Sequence, residues 1–201
     1  QTAMLLGIGL AFLLAIFPFY TWVSTLASET HPLSSGFILS VQPVITLLFA
    51  LNFLDSYAWL RELSTIRVVL LNIGVLMVIL GGFWAATQQH LGRLFGYLVI
   101  MQNGIGLVCL SLENRIGVEL LLSSFMPRIL CLGVLSAGLA VFRENHVSLE
   151  LDNLTGILKR YPLASVAVIL SIVELTGLPG TEIFPIIQIL MENISTISLV
   201  Y

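Results

Sequence analysis

Arg128, inside an apolar run, and Glu174 and Glu182, on either side of an apparent helix break, are the charged residues best placed to do chemistry. Arg128 lies near the middle of the apolar stretch 116–142, directly after Pro127. A charge at the centre of a membrane helix costs ~2.5–3.5 kcal/mol on insertion scales, so it needs a partner or a wet surround. It reads as a relay or coupling residue; the alternative is two shorter helices meeting near Arg128 and leaving it at an interface. Glu174 and Glu182 flank Gly177-Leu178-Pro179-Gly180, one carboxylate on each side of an apparent helix break. Such a pair can exchange a proton. A half-helix favours negative charge at its N-terminus and disfavours it at its C-terminus, so Glu182 and Glu174 would hold protons unequally. In an aqueous loop both acids would simply be solvated.

Gln42, Gln102 and Asn103 are neutral polar groups at span centres. Groups of this kind provide interhelical hydrogen bonds more often than chemistry. Other chemistries lack their residues. No Ser-His-Asp, Cys-His or metal-ligand constellation is present, so no catalytic or metal site is expected. Cys109 and Cys131 sit in apolar runs and read as small buried hydrophobes. The histidines are scattered, and no glycine loop is placed to cradle a phosphate. With a net charge of −3 and no basic run, nucleic acid is excluded as a partner.

The elements that must position these residues are membrane helices. Of 201 residues, 58% are apolar and 9% charged, and the mean hydropathy is +1.03; soluble domains carry about 25% charged residues. At ~20 residues per span, the apolar runs give seven segments at 2–25, 34–54, 67–87, 93–112, 116–142, 162–177 and 181–200. Each must be helical, because lipid cannot satisfy open backbone groups. The stretch 143–161 is the one sizeable extramembrane loop. Two prolines interrupt apolar sequence: Pro18, in Ile16-Phe17-Pro18-Phe19, and Pro179, between Gly177 and Gly180. Thr181-Glu182 reads as the cap of a new helix, with Pro185 in its first turn. Broken helices at membrane depth are tolerated where they are buried in protein or line a polar cavity, which points to transport machinery. The bland alternative is a packing kink or a short loop. Both ends fall inside apolar runs, so the chain is expected to be a piece of a longer one.

The stretch Leu14-Ala15-Ile16-Phe17-Pro18-Phe19-Tyr20-Thr21-Trp22, followed by Pro32-Leu33-Ser34-Ser35, resembles the Pro-Phe-His-x-Trp and Pro-x-Ser phrases of a known family. Leu91-Gly92-Arg93-Leu94-Phe95-Gly96-Tyr97, continuing to Met101-Gln102-Asn103-Gly104, is similar to its Lys-Arg-Leu-x-Ala-Tyr-Ser with a later Gln-x-Gly. Gly177-Leu178-Pro179 looks like its second Gly-x-Pro break. The family is that of the antiporter-like, proton-conducting membrane subunits of respiratory complex I (NADH:quinone oxidoreductase) and multisubunit Na+/H+ antiporters. The resemblance covers almost the whole chain, in order, as the seventh to twelfth or thirteenth of about fourteen helices. It implies an inverted-repeat architecture with one broken helix in each repeat. It also implies other membrane subunits as partners, membrane lipids around the bundle, and an energy-transducing membrane, either a bacterial plasma membrane or an organellar inner membrane. Quinone, flavin or iron–sulfur centres would reside on partner subunits, with none in this chain. The family's proton-carrying lysines fall on Leu13, near Gln42 and near Ile187, none ionisable; a further one aligns with Arg128, whose guanidinium holds its proton too tightly for easy release.

The leading expectation is an all-α membrane-arm subunit, proton-translocating or a degenerate structural version. Its path would use Glu174, Glu182 and Arg128, with Gln42 and Gln102 organising water and Pro18, Gly177, Pro179 and Gly180 forming the breaks. The alternatives are a stand-alone secondary transporter with a solute site at the bilayer midplane, and a non-conducting assembly subunit.

Overall fold

The computed structural model describes residues 2–57, 64–112 and 114–198. Within the polar stretch 55–67, residues 58–63 lie outside this set, as do Glu113 and the last two residues of the expected span 181–200. The described helices are α1 (Thr2–Leu13), α2 (Thr21–Glu29), α3 (Pro32–Ser56), α4 (Ser64–Thr87), α5 (Leu91–Ser111), α6 (Asn114–Glu144), α7 (Ile157–Arg160), α8 (Pro162–Thr176) and α9 (Ile183–Ser198). Four of them, α3 to α6, are long and apolar enough to cross a membrane. The apolar run 2–25 is divided at Pro18 into α1 and α2, and the Phe17–Pro18 peptide is cis. Pro127 lies within α6, which runs unbroken through Arg128. The alternative of two helices meeting at Arg128 is therefore not what the chain adopts.

α5 is the central helix: 89% of its most apolar window is buried, and α2, α3, α4, α6, α8 and α9 all pack on it. Small residues make this crowding possible, as is usual where helices associate in lipid. A Cβ added to Gly104 would stand 2.7 Å from the Gly74 carbonyl oxygen of α4, and one on Gly96 would stand 2.7 Å from Ser24 Cα of α2. On the far side of α3, Gly36 lets α6 approach so closely that a Cβ would collide with Ser136.

The loop after α6 is pinned rather than free. His90 and Glu150 form an isolated β-bridge, with Leu91 N donating to Leu149 O at 2.8 Å and Leu151 N donating to Gln89 O at 2.8 Å. His90 also caps α5, its Nδ1 accepting from Gly92 N at 3.1 Å. Arg143 donates to the carbonyls of Thr30 and Glu29, tying the end of α6 to the end of α2.

Candidate functional site: two helix breaks joined through Arg128

A proline leaves the carbonyl four residues before it without its helical donor, because it has no N–H. For Pro18 that carbonyl belongs to Leu14, and for Pro179 to Leu175. Both residues are buried, Leu14 at 2% and Leu175 at 0% exposure, where an unpaired backbone oxygen costs as much as a lost hydrogen bond. Two consecutive side chains of α5 repair the two defects. Asn103 Nδ2 donates to Leu14 O at 2.9 Å, and Gln102 Nε2 donates to Leu175 O at 2.6 Å. The two breaks are thus held at the same level of α5. That level is ~18 Å from Leu91 and ~12 Å from Ser111 at 1.5 Å per residue, in the middle third of the span.

Arg128 of α6 completes the junction. Its Nη2 donates to Asn103 Oδ1 and its Nη1 to the Gln102 carbonyl at 3.4 Å. Asn103 therefore accepts from a group that can only donate and donates to one that can only accept, which settles the orientation of its amide. The side chain of Arg128 is 2% exposed, and among the described residues it has no carboxylate partner; its Nε is buried and unpaired. The positive charge is met by dipoles of α5, and through Asn103 and Gln102 it is coupled to both breaks.

Gln42 reaches the first break from α3. Its Nε2 donates to Leu13 O at 3.0 Å and lies 3.3 Å from Thr46 Oγ1, while its Oε1 is buried without a partner. Trp22 Nε1 donates to Phe12 O at 3.1 Å. Three successive carbonyls at the end of α1 are thus taken by side chains of α2, α3 and α5. Ala15, fully buried between these helices, has a positive φ of 57°, which marks the end of helical backbone.

At the second break Gly177 and Gly180 have φ of 67° and 99°, and their left-handed backbone turns the chain tightly between α8 and α9. The turn brings the start of α9 within reach of Glu174, whose Oε1 accepts from Glu182 N at 2.7 Å and from Ile183 N at 3.3 Å. This corrects the sequence expectation twice. Glu174 lies at an N-terminus rather than facing only the end of its own helix, and the cap of α9 is Glu174 rather than Thr181, whose Oγ1 instead donates to Leu178 O at 2.8 Å. Glu182 is exposed and contributes its backbone N–H to the cap. The carboxylates do not touch Arg128; Glu174 is joined to it only through the next residue, Leu175, and Gln102. Asn103 was expected to make an interhelical bond and proves to be the hub. The signal available in sequence was the carbonyl orphaned by Pro18, while the helix that answers it is set by packing.

A family model described as NADH:quinone oxidoreductase/Mrp antiporter, TM matches residues 1–200. The chain is 27% identical over 177 residues to the NADH-quinone oxidoreductase subunit N of Wolbachia sp. subsp. Brugia malayi, covering 88% of this chain and 37% of that protein. It is 25% identical over 186 residues to the subunit N of Psychrobacter arcticus, covering 90% and 38%, and 26% identical over 185 residues to that of Chromohalobacter salexigens, covering 88% and 37%. The chain thus spans little more than a third of the length of the curated relatives it matches. No solved structure matches it significantly. Its all-α fold is that of an integral membrane protein of an energy-transducing membrane, and the chain belongs to the NADH:quinone oxidoreductase/Mrp antiporter transmembrane family.

Proposed function

We propose that this chain forms part of a membrane-arm subunit of a proton-translocating NADH:quinone oxidoreductase, with other membrane subunits as partners and quinone, flavin or iron–sulfur cofactors held by those partners. The observation that carries this reading is the pair of proline breaks whose orphaned carbonyls are held at one level by Gln102 and Asn103, with Arg128 buried between. Broken helices meeting at mid-span around a buried charge are typical of transport folds, and the names of the relatives suggest the assembly. In this reading Glu174 and Glu182 carry the proton past the second break. Arg128 acts as a fixed charge that biases their protonation through the Gln102–Leu175 link. Gln42 and Gln102 hold break carbonyls and offer sites for water.

A second reading, a non-conducting assembly subunit, is favoured by one observation: Glu174 already serves as the cap of α9. Two substitutions separate the readings. Glu174→Gln keeps a carbonyl oxygen for the cap but has no proton to give, whereas Glu174→Leu removes both functions. Proton flux of the assembled complex in proteoliposomes should fall at least tenfold in both variants if Glu174 carries protons, an expectation scaled to the loss of a positioned acid–base group. Flux unchanged in Glu174→Gln would remove Glu174 from the path and leave it a cap.

A further inference from the structure

Away from the breaks, a groove of about 510 Å³ runs between the C-terminal half of α6 and the N-terminal half of α8. Small residues form it: Ala137, Gly138, Ala164 and Ala167 leave a depression between Val134 and Val141. Gly138 sets how deep it is, since a Cβ there would stand 2.6 Å from Val168 Cγ2 and hold the helices apart. The groove opens outward on a face that continues in exposed apolar side chains, Leu163 at 87%, Leu130 at 63% and Leu170 at 61%. A face of this composition suits contact with hydrocarbon.

The mouth has a different chemistry. Arg160 and Tyr161 line it, Lys159 is adjacent, and both cations are exposed. No acidic residue lines the groove, so its charge is of one sign. The Arg160 guanidinium lies 5.4 Å from the centroid of the Tyr161 ring, a contact that holds the charge at the mouth without using its N–H donors. Pro162 begins α8 there, so the mouth sits where the polar loop meets an apolar helix. Tyr, Lys and Arg at such a boundary are the residues that meet lipid headgroups.

We propose that this groove binds one anionic phospholipid, its acyl chain lying along Val134–Val141 and its phosphate at Arg160 and Lys159. The occupant follows from the combination: an apolar slot of small residues suits a flexible hydrocarbon chain, and a mouth where Arg160, with Lys159 next to it in sequence, meets no acidic residue suits a headgroup with net negative charge. A zwitterionic phospholipid would fill the slot but gain little at the mouth. The site is independent of the proton path, so either can fail without the other.

The test is photolabelling in membranes from cells that make the full protein, using phosphatidylglycerol and phosphatidylcholine that carry a diazirine in the acyl chain, with labelled peptides identified by mass spectrometry. Phosphatidylglycerol should label the 134–141 and 162–167 peptides in preference to phosphatidylcholine. Lys159→Gln and Arg160→Gln should each reduce that preference about fivefold, the worth of one basic residue near an anionic surface. Ala137→Leu, at an exposed position in the slot, should reduce labelling by both lipids. Labelling around exposed Ile79 and Phe83 of α4 should not change in any variant, which checks that the bundle is intact. Equal labelling by the two lipids in the unaltered protein would overturn the proposal. So would an unchanged preference in both charge variants, or no lipid label at all because a neighbouring protein covers the groove.

Discussion

Asn103 rather than Arg128 is the side chain whose loss should be felt most in stability. Replacing Asn103 with Leu strips the buried guanidinium of one of its two acceptors and returns Leu14 O to the unpaired state. A hydrogen bond to a charged group is worth about 1.5–3 kcal/mol, and Asn103→Leu should lower stability by that order. Arg128→Met removes the cost of holding a charge inside an apolar bundle but leaves Asn103 Oδ1 buried without its donor; the two effects oppose, so its thermal midpoint in detergent should fall less than that of Asn103→Leu. Proton flux in the assembled complex should nevertheless fall in Arg128→Met if the charge biases the path. The reverse order of midpoints, with Arg128→Met the less stable, would show that the guanidinium is a structural keystone. Arg128 was legible in the sequence because a charge inside an apolar run is conspicuous. The role of Asn103 was only half legible, since Pro18 announces an orphaned carbonyl but does not say which helix will answer it. The cap of α9 was misread because the local pattern offered Thr181-Glu182, and only the turn at Gly177 and Gly180 brings the Glu174 carboxylate to the start of that helix.

Among the elements, α5 carries the architecture, and its glycines should tolerate least. Gly104→Leu would drive a side chain into the Gly74 carbonyl and Met77, and Gly74→Leu into Gly104 O and Val108. Overpacking of this kind typically costs about 1–3 kcal/mol. Each variant should therefore lower the thermal midpoint in detergent, while Gly133→Leu on α6, with open space around it, should leave the midpoint unchanged. A similar loss in all three would deny the close α4–α5 approach. The helices were legible from hydropathy because lipid leaves the backbone few other choices. Pro18 was visible as an interruption, but Pro43 and Pro127 also stand inside apolar runs and their helices continue, so the proline alone did not say which run would break. The packing order was not: α5 is no more apolar than its neighbours, and its central place depends on which small residues face which helix.

At the scale of the whole molecule, two breaks far apart in the chain are brought to adjacent residues of one helix and to one buried charge. Irregular backbone at membrane depth must have its polar groups satisfied within the protein; here α5 takes the buried Leu14 and Leu175 carbonyls, while Pro18 and the turn Leu178-Pro179-Gly180 lie on the surface of the described bundle. The position of the chain within a larger subunit and assembly is the part of the account furthest from the residues, and it is tested most directly by isolating the assembly. The protein, tagged and extracted in mild detergent from its own membranes, should migrate at the native mass of a multisubunit complex, and mass spectrometry should find redox subunits of NADH:quinone oxidoreductase travelling with it. Migration by itself, as a monomer or a small homo-oligomer that still transports, would contradict the membrane-arm reading and favour an independent transporter.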